Sequence, residues 1–179
     1  MNSMISIPDE VFQVMSAQLE EATVELFAAY EFAVRAGGRQ PVQADDARSG
    51  AAIIGFVGEK LRGALILCAS NSAIAHWMPA IGAAPGEESD TLGEFSNMLL
   101  GRLKGRLLSE GLVILVSTPT TTSGASLQLS APTGQSTTEV FEGEGWTVTT
   151  RLDASFDPGF ELNPACTADA AAAGDAMLF

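Results

Sequence analysis

Positive charge, cysteine and histidine are all scarce in this sequence. Nine Lys and Arg stand against 22 Asp and Glu, a formal charge of −13. A chain this acidic is repelled by phosphate backbones and anionic lipid, so nucleic acid and membrane surfaces are set aside as partners. There is one histidine, His76, and there are two cysteines, Cys68 and Cys166. No His/Cys/Asp cluster has metal-ligand spacing, so no metal site is expected. The cysteines lie far apart, and a structural disulfide between them is not expected. Cys68, inside LRGALILCAS, reads as a buried small hydrophobe. His76, beside Trp77, reads as a surface or partly packed ring. G-x-x-x-x-G-K-[ST], G-x-G-x-x-G and G-x-S-x-G are all missing, which removes the usual phosphate-loop, dinucleotide and hydrolase-elbow readings. No run approaches the roughly 20 apolar residues of a membrane span. MNSMISIPDEVFQ lacks the regions of a signal peptide, and the expected location is the cytoplasm.

Hydrophobic residues make up 46% of the 179, enough for one full core. The run 8–36 reads as one helix, with Pro8 in its first turn and Gly37-Gly38 as its stop. AAIIGFVGEKLRGALILCAS reads as two strands around a tight turn at Glu59-Lys60. SNSAIAHWMPAIG reads as a short helix capped by its first serine and ended near Pro79. After the linker GAAPGEE, residues 89–109 read as a long helix with Ser89 as cap and Gly111 just past the end. LVILVSTP reads as a buried strand, TTTSGAS as a loop, and SLQLSAP as a period-two segment. STTEVFEGEGWTVTTRLD reads as a hairpin turning at Gly143-Glu144-Gly145. The predicted class is α+β: two long pseudo-symmetric helices on a mostly antiparallel sheet. Residues 1–162 are read as one domain and 163–179 as an alanine-rich flexible tail.

The long helix DTLGEFSNMLLGRL carries the most information. At about 100° per residue, Leu92, Phe95, Leu99, Leu103 and Leu107 share one side. Asp90, Glu94, Asn97 and Gly101 fall in file on the other. An ordinary solvated face would hold long charged side chains in no fixed order. A mid-helix glycine costs roughly 1 kcal/mol, yet from periodicity alone the line also reads as an ordinary solvated face.

The set Asp90, Glu94, Asn97, Met98 and Gly101, with Pro119 standing 22 positions after Asn97 and Gly124 beyond it, resembles the CheC/CheX/FliY family of chemotaxis phosphatases. That family's signature is an Asp or Ser, then E-x-x-N on an exposed helix, then a proline a little over twenty residues on. GFVGEKLRGALIL is similar to the family's glycine-punctuated hairpin. The resemblance spans residues 8–155 loosely and 89–124 specifically. It implies a phosphatase acting on the aspartyl-phosphate of CheY-type receivers. Asn97 would orient the attacking water, and Glu94 would pair with the receiver's lysine. Asp90, Gly101 and Pro119 would meet the partner, with Gly101 a bare patch that permits close approach. Mg²⁺ would come with the receiver, and this chain would bind no cofactor of its own. In the first helix, Ser16, Glu20, Thr23 and Phe27 stand at the same spacing, and without a carboxamide that copy reads as degenerate. One motif per chain resembles the CheX branch, whose members are often homodimers joined edge to edge. The alternative is a module that binds a receiver without hydrolysing its phosphate. A flagellar-switch component like FliY ranks last, for want of the extra switch domain.

Overall fold

Two 22-residue helices lie against one face of a single antiparallel sheet. The computed structural model describes residues 7–38, 49–124 and 134–160. The elements are α1 (Ile7–Ala28), β1 (Arg35–Gly38), β2 (Ser49–Gly58), β3 (Leu61–Ser70), α2 (Asn71–Trp77), α3 (Glu88–Ser109), β4 (Ile114–Val116), β5 (Thr120–Gly124), β6 (Gln135–Glu142) and β7 (Thr147–Phe156). A short 3-10 turn, Met78–Ile81, follows α2 and carries Pro79. The fold is therefore α+β as expected, with α2 as a third, short helix beside the two long ones.

The sheet order is β1-β6-β7-β3-β2-β4, with β5 also on β2. The hairpins β2/β3 and β6/β7 meet at β3–β7. The strand after α1 adds to the second hairpin, and the strands after α3 add to the first. Each helix unit thus lends a strand to the other's hairpin, which gives the sheet its two-fold pattern. The turn at Glu59-Lys60 has Lys60 at φ 54°. The second hairpin closes where Gly143 N–H donates to the Trp146 carbonyl at 2.9 Å. A Cβ at Gly143 would sit 2.3 Å from the Trp146 ring, so only glycine lets that ring fold back. Trp146 joins Phe27, Trp77 and Phe95, whose ring centroids lie 5.0–5.7 Å apart. This aromatic cluster fills the space between both long helices and the sheet.

Several expectations are corrected. α1 stops at Ala28, not near residue 36. The chain turns through Glu31 at φ 63°, and Phe32 N–H donates back to the Phe27 carbonyl at 2.9 Å. Phe32 and Val34 still pack on the core from outside the helix, so the apolar pattern continues after the helix has ended. TTTSGAS is not wholly a loop: residues 120–124 form β5 on β2, as suits a run of β-branched threonines. LVILVSTP is an edge, not a buried strand. Ile114 is buried, but Val113, Leu115 and Val116 are exposed. Ser89 does not cap α3. Glu87 holds that position and makes no side-chain cap bond. Ser70 does cap α2, accepting from Ala73 N–H at 3.1 Å, and Gly111 follows α3 at φ 80°. Cys68 is only partly buried, although its surroundings push the thiol up to about 11 by desolvation, against a smaller opposing pull from Arg151. His76 is exposed, its ring 5.2 Å from that of Phe32. SLQLSAP and the expected tail at 163–179 lie outside the described residues.

Candidate functional site

The site is built on the outer side of α3. Leu92, Phe95, Leu99, Leu103 and Leu107 are buried to within 1%, and their burial fixes the rotation of the helix. Asp90, Glu94, Asn97 and Gly101 consequently point outward, and all four are exposed. Among the described residues, no hydrogen bond or ion pair engages the side chains of Asp90, Glu94 or Asn97. A carboxylate, a second carboxylate and a carboxamide therefore stand unoccupied along about two turns. A Cβ at Gly101 would meet nothing within 4 Å. The glycine is not demanded by packing among the described residues.

The helix carrying this line is anchored on its flanks. Tyr30 Oη donates to Met98 Sδ at 2.9 Å, and the Tyr30 ring lies 5.3 Å from that of Phe95. At the far end Arg106 reaches α1, with Nη1 2.5 Å from Glu21 Oε2 and Nη2 2.5 Å from Glu25 Oε1. The Glu25 hydrogen bond raises the Arg106 pKa, burial opposes it, and the Glu25 charge with the Glu21 hydrogen bond and charge adds smaller upward effects. The structure thus holds both sides of Asn97 while, among the described residues, no partner engages Asn97 itself.

Pro119 comes to the same place. It is partly buried, and a Cβ on Gly93 would lie 3.8 Å from Pro119 Cγ and 3.6 Å from Thr121 Cγ2. Four of the five residues singled out in the sequence therefore share the outer line of α3, and Pro119 packs at the edge of the same helix beside Gly93, the residue that precedes Glu94. Sequence reasoning missed Gly93, Thr121 and the use of Ser89, whose hydroxyl lies 2.5 Å from Thr121 Oγ1. The available signal was a second bare position, Gly93, in the same helix.

The proposed pairing of the first helix with the motif fails geometrically. Ser16, Thr23 and Phe27 are buried, whereas Asp90, Asn97 and Gly101 are exposed. Two lines of α1 with the same spacing are exposed, Gln13, Ala17, Glu20 and Val24, and Ala17, Glu21, Val24 and Ala28. Neither has E-x-x-N or a glycine, so the first helix carries no second copy.

Among the described residues, no three His, Cys, Asp or Glu side chains come together in a metal cage. A concavity of about 590 Å³ lies over the sheet, lined by Gly55, Val57, Arg62, Ala64, Leu115 and Asp153 among others. It contains none of the five residues above. The convex line on α3 encloses nothing, and what it can engage is another surface.

An exposed acidic-amide helix line with a proline at its side, on a pseudo-symmetric antiparallel sheet, defines the class of chain. A family model described as "Chemotaxis phosphatase CheX" matches residues 51–141, which is half of the chain. The chain belongs to that family. Solved structures share the fold. A CheC-like superfamily protein from Shewanella sp. PV-4 superposes with a TM-score of 0.70 at 20% identity, covering 79% of this chain and 97% of that one. A chemotaxis protein CheX from Desulfovibrio desulfuricans gives 0.67 at 17% identity, over 79% and 99%. A CheX–CheY–BeF3–Mg²⁺ complex from Borrelia burgdorferi gives 0.64 at 13%, over 78% and 97%. No curated protein sequence matches the chain.

Proposed function

We propose that this chain hydrolyses the aspartyl-phosphate of a CheY-type receiver, and that α3 is the surface it presents. One observation carries the reading: Asp90, Glu94, Asn97 and Gly101 are exposed in file, with Pro119 beside them. Family membership supports the phosphatase chemistry, and the CheX–CheY complex among the structural neighbours supports a receiver as partner.

The acyl phosphate is labile, so the enzyme's task is chiefly to position water in line with the departing oxygen. The Asn97 carboxamide accepts from that water through Oδ1 and donates through Nδ2. It brings no negative charge against the phosphoryl oxygens. Water attacks phosphorus, the bond to the aspartyl oxygen breaks, and inorganic phosphate and the free carboxylate result. Glu94, one turn earlier on the same line, pairs with the receiver's lysine and fixes the docked pose. Asp90 adds a contact at the near end, and Gly101 leaves room for close approach. The Mg²⁺ that assists phosphoryl chemistry comes with the receiver.

The same reading includes a homodimer. Among the described residues β4 pairs on one side only, with β2. Leu115 is 67% exposed on it, and its cross-strand partner Val57 is 53% exposed. An apolar, unpaired edge invites a second strand.

The decisive experiment follows phosphate loss from phosphorylated receivers of the same source. Wild type should accelerate it, and Asn97→Ala should abolish most of the acceleration while binding and melting temperature stay close to wild type. Binding without hydrolysis by wild type would overturn the enzyme in favour of the receiver-binding module.

A further inference from the structure

β2 pairs with β4 up to Phe56↔Val116 and with β5 from Ile53↔Thr120. Between these registers Ser117, Thr118 and Pro119 stand opposite only Ile54 and Gly55. The extra residue makes a bulge, a device that re-aims side chains and bends the strand that carries it. The bulge is gripped at both ends. On the sheet side, Ser117 N–H donates to the Gly55 carbonyl at 2.9 Å, and Ser117 Oγ accepts from Gly55 N–H at 3.0 Å. On the helix side, Thr121 and Ser89 share a hydroxyl hydrogen bond of 2.5 Å. Ser89 and Gly93 are four apart and face β5 together. Over Gly93 lie the Pro119 ring and the Thr121 methyl, at 3.8 and 3.6 Å from where a Cβ would stand. The residues that follow Ser89 and Gly93 are Asp90 and Glu94, both exposed.

We propose that Ser89 and Thr121 are positioning residues, a latch that seats the Pro119 bulge against α3 and fixes the wall beside Glu94 on which the receiver docks. The docking half of this inference rests on the phosphatase reading above; the latch itself does not. Ser117 and Thr118 are exposed, so without the Thr121–Ser89 bond the helix side keeps only the apolar contacts over Gly93, and every hydrogen bond that grips the bulge comes from the sheet. Docking then has to order the wall, and that cost falls on affinity. Asn97 lies two turns beyond Ser89, so water positioning is untouched.

The test uses Ser89→Ala, Thr121→Val (which keeps the methyl), the double variant and the conservative Ser89→Thr. Amide hydrogen exchange over residues 117–124 is measured on the protein alone, and kcat and KM are measured with a phosphorylated receiver. Both single variants should exchange faster over 117–124. Their KM should rise about two- to tenfold, the worth of one hydrogen bond, with kcat little changed. The double variant should be no worse than either single one, and Ser89→Thr should restore both readouts. Unchanged exchange in the single variants overturns the latch whatever the receiver does. Losses that multiply in the double variant, or a fall in kcat at constant KM, overturn the positioning role. A wild-type chain that leaves receiver phosphate intact overturns the phosphatase reading and the docking half with it, while exchange alone still decides the latch.

Discussion

Substituting Gly101 separates a docking face from a merely solvated one. A Cβ there meets nothing within 4 Å, and the residue is exposed in the middle of a 22-residue helix. Gly101→Ala should therefore stabilise the free protein by about 0.8–1 kcal/mol through helix propensity and a less flexible unfolded chain. For a chain of this size that is a rise in melting temperature of about 2–4 °C. A docked receiver changes the outcome. Gly101 is one turn from Asn97, so a side chain at 101 stands in the gap between α3 and its partner. Overpacking a close contact costs about 1–3 kcal/mol, a loss of roughly five- to 150-fold in apparent affinity. Gly101→Leu should lose more than Gly101→Ala. Gly105 provides the control, since it too is exposed with nothing within 4 Å of a built Cβ. Gly105→Ala should give the same thermal gain with a smaller loss of activity, being a further turn from Asn97. Thermal unfolding and receiver dephosphorylation are measured on the same preparations. Full activity in both Gly101 variants would mean that nothing packs closely over that position. Lower stability in Gly101→Ala would contradict the open space around it.

Glu94→Ala should weaken receiver binding as well as rate, by about 2–5 kcal/mol if the charge pair it forms is desolvated; unchanged affinity and turnover would remove Glu94 from the mechanism. Leu115→Lys should shift the chain to monomer in light scattering by charging the apolar β4 edge, and an unaltered mass would place any dimer contact elsewhere. At pH 8 only about one Cys68 thiol in a thousand should be thiolate, because burial holds its pKa near 11. In a Cys166→Ser background, Cys68 should label slowly when folded, faster as the pH rises through 9 to 11, and rapidly in urea; fast labelling of native protein at pH 8 would refute the desolvation. Calorimetric titration with a beryllofluoride-activated receiver should give one receiver per chain, and two would mean that α1 also docks.

What could be read from the sequence was whatever local periodicity controls. The leucine and phenylalanine repeat of α3 fixed which side is buried, and with it the outward line from Asp90 to Gly101. The hairpin at 143–146 and the Ser70 cap were legible because their turn and capping chemistry is contained within a few residues. The misreadings share a different origin. Ser89 looks like a cap, but its hydroxyl is taken by Thr121, 32 residues away, and no local rule sees that partner. α1 appears to continue because Phe32 and Val34 keep the apolar pattern, and the turn at Glu31 uses a positive φ without the glycine that usually marks one. The exposure of Leu115 depends on β4 being last in the sheet order, which the run LVILV does not encode.

The two halves of the sheet are alike, yet they present different chemistry, and burial explains how. Both long helices are 22 residues and both pack on the same aromatic cluster. In α1 the core claims Ser16, Thr23 and Phe27, and Thr23 Oγ1 donates to the Leu19 carbonyl at 2.8 Å. Its hydroxyl is thus spent within the helix. Of the two lines that α1 shows outside at this spacing, Gln13, Ala17, Glu20 and Val24 puts a carboxylate where α3 has the carboxamide and a branched side chain where α3 has glycine, and Ala17, Glu21, Val24 and Ala28 puts valine and alanine there. A carboxylate in the water-positioning place would repel the phosphoryl oxygens it faced, and valine would fill the approach. On α3 the core needs only the leucine side, so the outer line was free to carry groups that contribute nothing to the fold. That freedom is why Asp90, Glu94 and Asn97 have no partner among the described residues, and why, of the two long helices, α3 alone presents a line of carboxylate, carboxylate, carboxamide and glycine to solvent.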